Sequence, residues 1–307
     1  MKLALGLAAL GRPAYINVGH AEALPDAYAP GALERRCHAV LDAAWAAGLT
    51  WFDAARSYGR SEEFLAKWLQ QRGITRSHVT VSSKWGYRYV ANWQPGAEKH
   101  EVKEHTLEAL ERQLAESRAM LGPWLSLYQV HSATLDSGVL QSRAVLERLG
   151  GLRDEGLPIG LSLSGPKQRE ALELGLSVQH RGAPLFSSVQ ATWNLLERSV
   201  EPALRRAKGE GLTVIIKEAL ANGRLAGPGA PRALHALGSA TPDAVALAAA
   251  LAQPFADVVL SGASTPEQLR SNVAALWLDG AALADALETL KEPPEQYWQT
   301  RSKLPWN

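Results

Sequence analysis

Four side chains that could together protonate a carbonyl oxygen lie just past apolar segments of this 307-residue chain. They are Asp53 and Tyr58 in Phe-Asp-Ala-Ala-Arg-Ser-Tyr-Gly, Lys84 in Ser-Ser-Lys-Trp-Gly, and His131 in Tyr-Gln-Val-His-Ser. A hydride that reaches a carbonyl carbon leaves an alkoxide, which needs a proton. Free tyrosine, with a pKa of about 10, is a poor acid at neutral pH. An adjacent lysine ammonium stabilises the phenolate and lowers that pKa, so the set predicts general acid–base chemistry with Tyr58 as the proton donor.

The other three side chains have expected supporting roles. Asp53 would keep Lys84 charged and oriented, and His131 would orient the carbonyl oxygen toward Tyr58 and stabilise developing charge. Taken singly, each has an ordinary alternative: Asp53 could cap the following loop, Lys84 could be a surface lysine, and His131 could be a satisfied histidine at a strand end. Their joint occurrence in register with successive apolar segments favours the shared role.

Eight short apolar runs provide the elements that would position these groups. Most are continuous rather than alternating, which is typical of parallel strands buried on both faces. They cover residues 3–10, 49–54, 78–83, 125–130, 159–164, 185–190, 212–217 and 257–261. Helical patterns separate them, which favours a (β/α)₈ barrel over an open doubly wound sheet. No Gly-x-Gly-x-x-Gly follows the first run, so the dinucleotide fold built on that motif is not indicated.

Several helix starts have recognisable capping residues. Thr106 precedes an amphipathic pattern, and Thr241 and Thr265 each precede a proline that could occupy the first helical turn. We therefore predict N-caps at all three threonines. Gln268 follows Thr265 at the spacing of a capping box.

Composition limits the class of protein. With 32 basic and 31 acidic residues the net charge is +1, so neither a nucleic-acid surface nor a membrane anchor is predicted. A hydrophobic content of 46% suffices for a large core, and no apolar run approaches the roughly 18 residues of a spanning helix. The single cysteine, Cys37, lies at helical apolar spacing and is predicted to be a packed thiol. We predict one soluble cytoplasmic domain over residues 1–307 and interpret residues 3–10 as a strand rather than a signal peptide.

The four active-site segments resemble the signature of the aldo-keto reductase superfamily, and the similarity extends over almost the whole chain. Asp53, Tyr58 and Gly59 match the spacing Asp-x-x-x-x-Tyr-Gly. Lys84 and His131 match the lysine and histidine after the third and fourth strands. The resemblance implies a (β/α)₈ barrel that binds NADPH, less often NADH, without a Rossmann domain, and that reduces aldehydes and ketones to alcohols.

The resemblance also implies a cofactor site along the later strands. Ser164 and Gln190 match contacts to the nicotinamide carboxamide, although Gly165 stands where the family has asparagine. Lys217 stands where the family has a stacking tyrosine, so we expect a cofactor contact of a different kind there. Further matches are a pyrophosphate loop with Leu220, Gly223 and Leu225, and an adenosine-phosphate segment with Gly262, Ala263, Ser264, Gln268 and Asn272.

The type of cofactor and the direction of reaction stay open. Gly262 and Gln268 stand where NADPH-selective members of the family have lysine and arginine, so NADP(H) is favoured only modestly over NAD(H). An NAD-linked aldose dehydrogenase on the same scaffold is one alternative. A cofactor-binding regulatory subunit that resembles potassium-channel β-subunits is another, although the complete tetrad argues against it.

The substrate is predicted only as a small carbonyl or alcohol compound. Trp85 adjoins Lys84, and Trp193 follows Gln190, so both tryptophans could line a substrate pocket.

Segments without clear periodicity follow three of the predicted strands. Residues 12–30, 86–103 and 222–238 are expected to form loops over the site, joined by an aromatic tail at 296–307. His100 and His105 are five residues apart and so would not share a helical face, and we predict no metal site. The sequence predicts no oligomeric state.

Overall fold

Eight parallel strands close into a barrel in the computed structural model, which describes residues 2–18, 29–236 and 239–306. Each of the eight predicted runs supplies one strand, and the strands follow one another around the ring in chain order. The strands are β1 Lys2–Gly6, β2 Trp51–Asp53, β3 Thr80–Trp85, β4 Leu125–Ala133, β5 Ile159–Leu163, β6 Ser188–Thr192, β7 Thr213–Lys217 and β8 Val258–Ser261. Strand β8 pairs with β1 and closes the ring, which confirms the predicted (β/α)₈ fold.

Helices surround the barrel and alternate with its strands. They are α1 Pro30–Ala46, α2 Ser61–Gln71, α3 Leu107–Leu121, α4 Arg143–Asp154, α5 Gln168–Ser177, α6 Glu201–Gly209, α7 Arg232–His235, α8 Pro242–Leu251, α9 Pro266–Val273, α10 Gly280–Ala286 and α11 Pro294–Ser302. None of these helices, nor any other in the described part of the chain, combines the length and the apolar character needed to cross a membrane.

All three predicted threonines hold the N-cap position of a helix, and two of them also cap it with the side chain. The hydroxyl of Thr106 accepts from the backbone N–H of Ala109 at 3.2 Å, and that of Thr265 accepts from the N–H of Gln268 at 3.2 Å. Thr241 holds the N-cap position of α8, but its hydroxyl instead pairs with the Ser271 hydroxyl at 2.9 Å. The predicted N-cap position at Thr241 is therefore confirmed, whereas its hydroxyl makes a tertiary contact with α9 instead of capping the helix.

The predicted capping box at the start of α9 is also incomplete. The amide oxygen of Gln268 accepts from the backbone N–H of Ser264 at 2.9 Å and from the Ser264 hydroxyl at 3.0 Å. Its partner is thus one residue before the N-cap, Thr265. The two hydrogen bonds between Gln268 and Ser264 still fix the segment between β8 and α9, which borders the cavity described below.

The barrel interior changes from apolar to polar along its axis. An apolar cluster fills one part with Ala4, Leu127, Ile215, Val258 and Leu260. Further toward the carboxyl ends of the strands, inward positions are polar. The main hydrophobic core lies between sheet and helices and includes Cys37, which is fully buried. Burial raises the pKa of the Cys37 thiol, so this residue is a packed thiol, as predicted.

The predicted irregular segments and the tail meet at the carboxyl ends of the strands. Residues Tyr87–Tyr89 and Glu101–Lys103 form an antiparallel hairpin after β3. Ile16, from the first loop, pairs with Trp306 of the tail, and its carbonyl oxygen accepts from the Asn222 side chain at 2.9 Å. Parts of the predicted loops, residues 19–28 and 237–238, and Asn307 of the tail lie outside the described residues.

Candidate active site

The structure brings the four predicted catalytic side chains together at the carboxyl ends of β2, β3 and β4. The Nζ atom of Lys84 lies 2.5 Å from Asp53 Oδ2, 2.9 Å from the Ala54 carbonyl oxygen and 3.5 Å from the Tyr58 hydroxyl. The Tyr58 hydroxyl lies 3.5 Å from Nε2 of His131. A phenol is thus placed between an ammonium group and an imidazole, with the carboxylate beyond the ammonium.

Asp53 is held by donors from three further strand positions. Its Oδ1 atom accepts from the Ser82 hydroxyl at 2.6 Å and from the amides of Gln129 and Gln190 at 3.2 Å each. Because Asp53 is on β2 and Gln190 on β6, this contact crosses the barrel interior. The resemblance had assigned Gln190 to the nicotinamide; here its amide donates to Asp53 while the residue also borders the cavity.

The alternation of side chains along a strand would have predicted two of these donors from the sequence. Ser82 lies two residues before Lys84, and Gln129 lies two residues before His131. Alternate residues of a strand share one face, so each polar residue at i−2 points into the barrel with its catalytic neighbour.

Protonation of the site differs from the expectation for Tyr58. Burial raises the pKa of Tyr58 well above 10, and the charges of Asp53 and Glu101 raise it further. The predicted net lowering of the Tyr58 pKa is therefore not found in the unliganded protein, because the effect of burial is the larger one. Burial and the nearby charge of Lys84 hold the pKa of His131 well below 6.5. At neutral pH the site therefore presents a protonated phenol and a neutral imidazole.

Tight backbone packing positions the loop that carries Tyr58. The N–H of Arg60 donates to the carbonyl oxygen of Gly11 at 2.7 Å. A Cβ atom added at Gly11 would lie 2.1 Å from the Tyr58 carbonyl oxygen and 2.5 Å from the backbone nitrogen of Ser61. Glycine at position 11 therefore allows the segment after β1 to contact the catalytic loop directly.

Replacement of Gly11 by alanine tests this contact. We expect Gly11→Ala to lower the free energy of unfolding by about 1–3 kcal/mol, because backbone atoms must move to admit the methyl group. Turnover should fall as well, since Tyr58 lies on the displaced loop. Urea unfolding and initial rates measure the two effects. The matched control is Gly96→Ala, where an added Cβ meets no atom within 4 Å; equal effects of the two variants would contradict the packing argument.

A cavity of about 1280 Å³ opens on the tetrad and extends to the segment between β8 and α9. It exceeds the roughly 300–1,000 Å³ that is usual for a single small ligand. Tyr58, His131 and Asp53 border it. Most of the predicted cofactor-binding residues also border it, namely Ser164, Gln190, Lys217, Leu220, Gly223, Gly262, Ala263, Gln268 and Asn272.

Two predicted cofactor residues do not line the cavity. Leu225 is fully buried in a hydrophobic cluster with Leu234 and Tyr297. Ser264 is buried, and its hydroxyl is bound to Gln268. Both residues support the wall from behind rather than form its surface.

The two tryptophans predicted to contact substrate lie elsewhere. Trp85 and Trp193 are both fully buried and neither lines the cavity. Since Lys84 and Gln190 point into the barrel, Trp85 and Trp193, at odd spacing from them, point outward to the helices. Trp193 accordingly packs edge-on against Phe255, with ring centroids 5.9 Å apart. Their assignment to the substrate pocket is incorrect for this geometric reason.

Sequence reasoning missed several side chains of the cavity wall. These are Arg12, Tyr15, Tyr87, Glu101, Glu218 and Arg301, whereas Trp306 belongs to the aromatic tail that was predicted to cover the site. They come from loops and the tail, where no periodic pattern indicates direction. Only their position after strand ends could have suggested them. Among the described residues there is no group of three or more His, Cys, Asp or Glu side chains arranged to hold a metal ion.

Lys217 belongs to a charged cluster that ties the tail to the barrel. Its Nζ atom donates to the Thr192 hydroxyl at 3.0 Å and lies 3.7 Å from the carboxylate of Glu218. Arg301 of α11 donates to the same carboxylate at 2.5 and 2.9 Å. Burial lowers the pKa of Lys217 to about 8. Against the effect of burial, Arg301 and Lys217 lower the pKa of Glu218 to about 2.

The lowered pKa of Lys217 predicts a specific dependence of stability on pH. Between pH 8 and 10.5 the unfolded chain binds the lysine proton and the folded protein does not, so stability rises with pH in this window. We expect the unfolding free energy of wild type, relative to Lys217→Met, to increase by on the order of 3 kcal/mol across that window. Urea unfolding of both proteins from pH 7 to about 11 measures it. A pH-independent difference would show that Lys217 does not titrate in this way.

Comparison with known proteins identifies the family to which the chain belongs. It matches the model of the Aldo/keto reductase family over residues 2–281. The chain belongs to the aldo/keto reductase family and is an NAD(P)-dependent oxidoreductase.

Individual relatives are distant. The chain is 25% identical over 275 residues to YqkF of Bacillus subtilis, an uncharacterized oxidoreductase. This alignment covers 80% of this chain and 83% of YqkF. A short segment of 47 residues is 49% identical to aldo-keto reductase str7 of Strobilurus tenacellus, covering 15% of this chain and 14% of that one.

Solved structures show the same architecture. PA4992 of Pseudomonas aeruginosa, provisionally assigned as an aldo-keto reductase, has a TM-score of 0.63 and 25% identity, with 93% of this chain and 90% of that one covered. The holo form of aldo-keto reductase AKR11C1 from Bacillus halodurans has a TM-score of 0.71 and 20% identity, with 97% and 95% covered. The latter likeness concerns the fold alone.

Proposed function

We propose that this protein reduces aldehydes or ketones to alcohols with NAD(P)H and that Tyr58 is the proton donor. One observation carries the proposal: the hydroxyl of Tyr58 and the imidazole of His131 border the same cavity as the glycine-rich segments predicted to bind the dinucleotide. When bound, the nicotinamide would supply the hydride. The protein would then supply the proton and the environment for the developing negative charge.

The geometry supports a division of roles among the tetrad. Tyr58, protonated at neutral pH, can donate to a carbonyl oxygen that also meets Nε2 of His131, since the two atoms are 3.5 Å apart. The neutral imidazole can donate a hydrogen bond without changing the charge of the site. Lys84 lies 3.5 Å from the phenol oxygen and would stabilise the phenolate left after proton transfer. Asp53 keeps this ammonium in place through the 2.5 Å contact.

The cavity wall fits a dinucleotide in two ways. A Cβ atom added at Gly262 would meet nothing within 4 Å, so the backbone there borders open space. Asn17 and Asn222 line the cavity, and each has a buried side-chain oxygen with no hydrogen-bond partner among the described residues. Buried polar atoms normally have partners. Rotation of either amide toward the cavity would let the hydroxyl groups of a ribose or the amino group of an adenine provide them.

The predicted preference for NADP(H) over NAD(H) meets one opposing observation. The parts of α8, α9 and the segment between β8 and α9 that line the cavity include two carboxylates, Asp243 and Glu267, and no lysine or arginine within the described residues. A 2′-phosphate is usually recognised by cationic side chains, and a free ribose hydroxyl by an acidic one. This favours a second candidate function, NAD-linked oxidation of aldoses at the same site.

Direct titration separates the two cofactors. NADP⁺ and NAD⁺ are added separately to the protein and binding is followed by quenching of tryptophan fluorescence. Tighter binding of NADP⁺ supports the sequence prediction, whereas tighter binding of NAD⁺ supports the second candidate.

Turnover tests the reaction itself. Oxidation of NADPH and NADH is measured with 4-nitrobenzaldehyde and a panel of further aldehydes and ketones. Carbonyl-dependent oxidation of either cofactor supports the proposed reductase. Cofactor binding without turnover across the panel would contradict it and favour a regulatory role.

A further inference from the structure

We propose that His105 is a positioning residue of the active site, which holds the end of β4 in the conformation that directs His131 toward Tyr58. The inference rests on the proposed function, because it concerns the geometry of the same tetrad. His105 lies between the hairpin after β3 and helix α3. It does not line the cavity, so it acts through another residue rather than on a bound substrate.

The end of β4 is irregular at the catalytic histidine. The register of β4 against β5 shifts between Val130 and Ala133. His131 and Ser132 there stand opposite one residue of β5, which is the arrangement of a β-bulge. Ser132 has a left-handed backbone conformation with a φ of 48°. A bulge re-aims side chains, and a non-glycine residue in this conformation persists only when its surroundings hold it. The direction of the His131 ring therefore depends on what fixes this backbone.

His105 fixes the bulge through the carbonyl group of His131. Nε2 of His105 lies 2.8 Å from the His131 carbonyl oxygen. Burial lowers the pKa of His105 to about 4, so the ring is neutral at neutral pH. Because a carbonyl oxygen only accepts, the single N–H of this ring is on Nε2. Nδ1 is buried and has no hydrogen-bond partner among the described residues, so the polar contact of the ring is directed at His131.

The ring of His105 is itself held by close packing. Gly86 permits this packing, because a Cβ atom added there would lie 2.3 Å from Cδ2 of His105. The backbone N–H of Glu104 donates to the Gly86 carbonyl oxygen at 2.8 Å. The rings of Trp85 and Tyr87 flank the imidazole, with centroids 5.9 and 6.0 Å from its own. His105 therefore provides a fixed donor for the end of β4.

The side-chain contacts of His131 do not fix its ring by themselves. Nδ1 lies 3.4 Å from the Ser57 hydroxyl, and Nε2 lies 3.5 Å from the Tyr58 hydroxyl. Both distances exceed those usual for hydrogen bonds, so the backbone of His131 decides where Nε2 stands relative to the phenol. A displacement of about 1 Å at a catalytic group can lower a rate by about 10²-fold.

Removal of the donor tests the proposal. His105→Met keeps an apolar side chain and removes the N–H. We expect kcat for carbonyl reduction to fall by about ten- to a hundredfold, with the dissociation constant of the cofactor within about twofold of wild type. His105→Gln has an amide N–H₂ that can reach the position of Nε2, and it should restore kcat to within about threefold of wild type. An unchanged kcat in His105→Met, or an equal loss in both variants, would overturn the inference.

His38→Met is the matched control for loss of a hydrogen bond. His38 is also partly buried, its Nε2 atom lies 3.0 Å from the carbonyl oxygen of Phe64, and it does not line the cavity. Each methionine variant loses one bond between an imidazole and a backbone carbonyl group, so both should unfold at lower urea concentration. Only His105→Met should lower kcat. Comparable losses of kcat would show a general effect on the fold and contradict the positioning role.

A double-mutant cycle shows whether His105 acts through His131. In the His131→Ala protein, the further change His105→Met should alter the rate by less than about twofold, because the group that it positions is already absent. Single-turnover measurements keep the slow variants within range. A fall of the same size with and without the His131 imidazole would overturn the inference.

A spectroscopic measurement keeps the inference testable if wild type reduces no carbonyl, a result that would overturn the proposed function instead. The imidazole C–H signals of His131 are recorded by NMR and assigned by their loss in His131→Ala. They should differ between His105→Gln and His105→Met, which both lack the neighbouring ring but differ in the hydrogen bond. Coincident His131 signals in these two variants would contradict the positioning role.

Discussion

Tyr58→Phe is expected to lower kcat for carbonyl reduction by about 10²–10⁴-fold, the range typical of a lost general acid. The phenol is the group that can protonate the nascent alkoxide, and its raised pKa keeps it protonated at neutral pH. Phenylalanine retains the ring, which lies at 84° to the imidazole of His131, so the shape of the site should persist. Single-turnover and steady-state rates measure the loss, and fluorescence titration should give a dissociation constant for the cofactor within about twofold of wild type.

Tyr89→Phe provides the control for Tyr58→Phe. Tyr89 lies in the hairpin after β3 and is not part of the cavity wall, so loss of its hydroxyl should leave kcat within about twofold. Comparable turnover by Tyr58→Phe and wild type would remove Tyr58 from the role of proton donor. A large loss of cofactor affinity in Tyr58→Phe would indicate that the hydroxyl acts in binding instead.

The fold was predictable because burial on both faces leaves a simple pattern. Each strand of the closed barrel is covered by helices outside and packed inside, so continuous apolar runs such as residues 159–164 become strands. The hydrogen bonds that cap the helices were less predictable than the strands. Thr106 and Thr241 have the same residue type at the same N-cap position, yet only Thr106 uses its hydroxyl for the cap. The difference lies in Ser271, which is 30 residues away from Thr241 and reaches it only in the folded chain.

The tetrad was predictable because its members interrupt apolar runs at strand ends. Lys84 and His131 each stand at the end of an apolar run that predicts a buried strand. Charged and polar side chains are seldom buried at such positions unless they have a partner or a function. Their juxtaposition with Tyr58 then follows from the parallel register of β2, β3 and β4. The catalytic roles stay predictions that Tyr58→Phe and Lys84→Met test.

The part of the cavity wall beside Tyr58 was not predictable, since it is assembled from segments far apart in sequence. Arg12 and Glu101 are separated by 89 positions, and nothing near either residue indicates their pairing. Trp306 reaches the site only because the tail pairs with Ile16. Conversely, Trp85 was assigned to the pocket on adjacency alone, whereas the alternation of strand side chains directs it away from Lys84.

Buried charges are paired throughout the site, and this restricts which substitutions the fold tolerates. Lys84 with Asp53 and Arg301 with Glu218 are ion pairs whose partners come from different elements. Such pairs contribute little when compared with apolar replacements of both partners, but removal of one partner leaves a costly charge. The ammonium group of Lys84 is therefore a structural group as well as a predicted catalytic one, and activity and stability should change together when it is lost.

Lys84→Met is expected to lower the free energy of unfolding by about 3–5 kcal/mol, because Asp53 would be left as an unpaired buried carboxylate. The side chain of Lys84 is fully buried, and that of Asp53 is 3% exposed. Turnover should be lost as well, since the phenolate of Tyr58 would have no cation beside it. Urea unfolding at pH 7 measures the stability. Arg143→Met, which breaks an exposed pair with Glu147, should cost less than about 1 kcal/mol.

A double-mutant cycle with Asp53→Asn then separates the ion pair from loss of packing. The Asp53→Asn/Lys84→Met protein contains neither charge, so it should be more stable than the sum of the two single effects predicts by at least about 1 kcal/mol. It should nevertheless remain inactive, because the phenol still lacks its ammonium neighbour. Additivity within about 0.5 kcal/mol would show that the two groups do not interact energetically. Full activity in the double variant would show that the pair serves the fold and not the proton transfer.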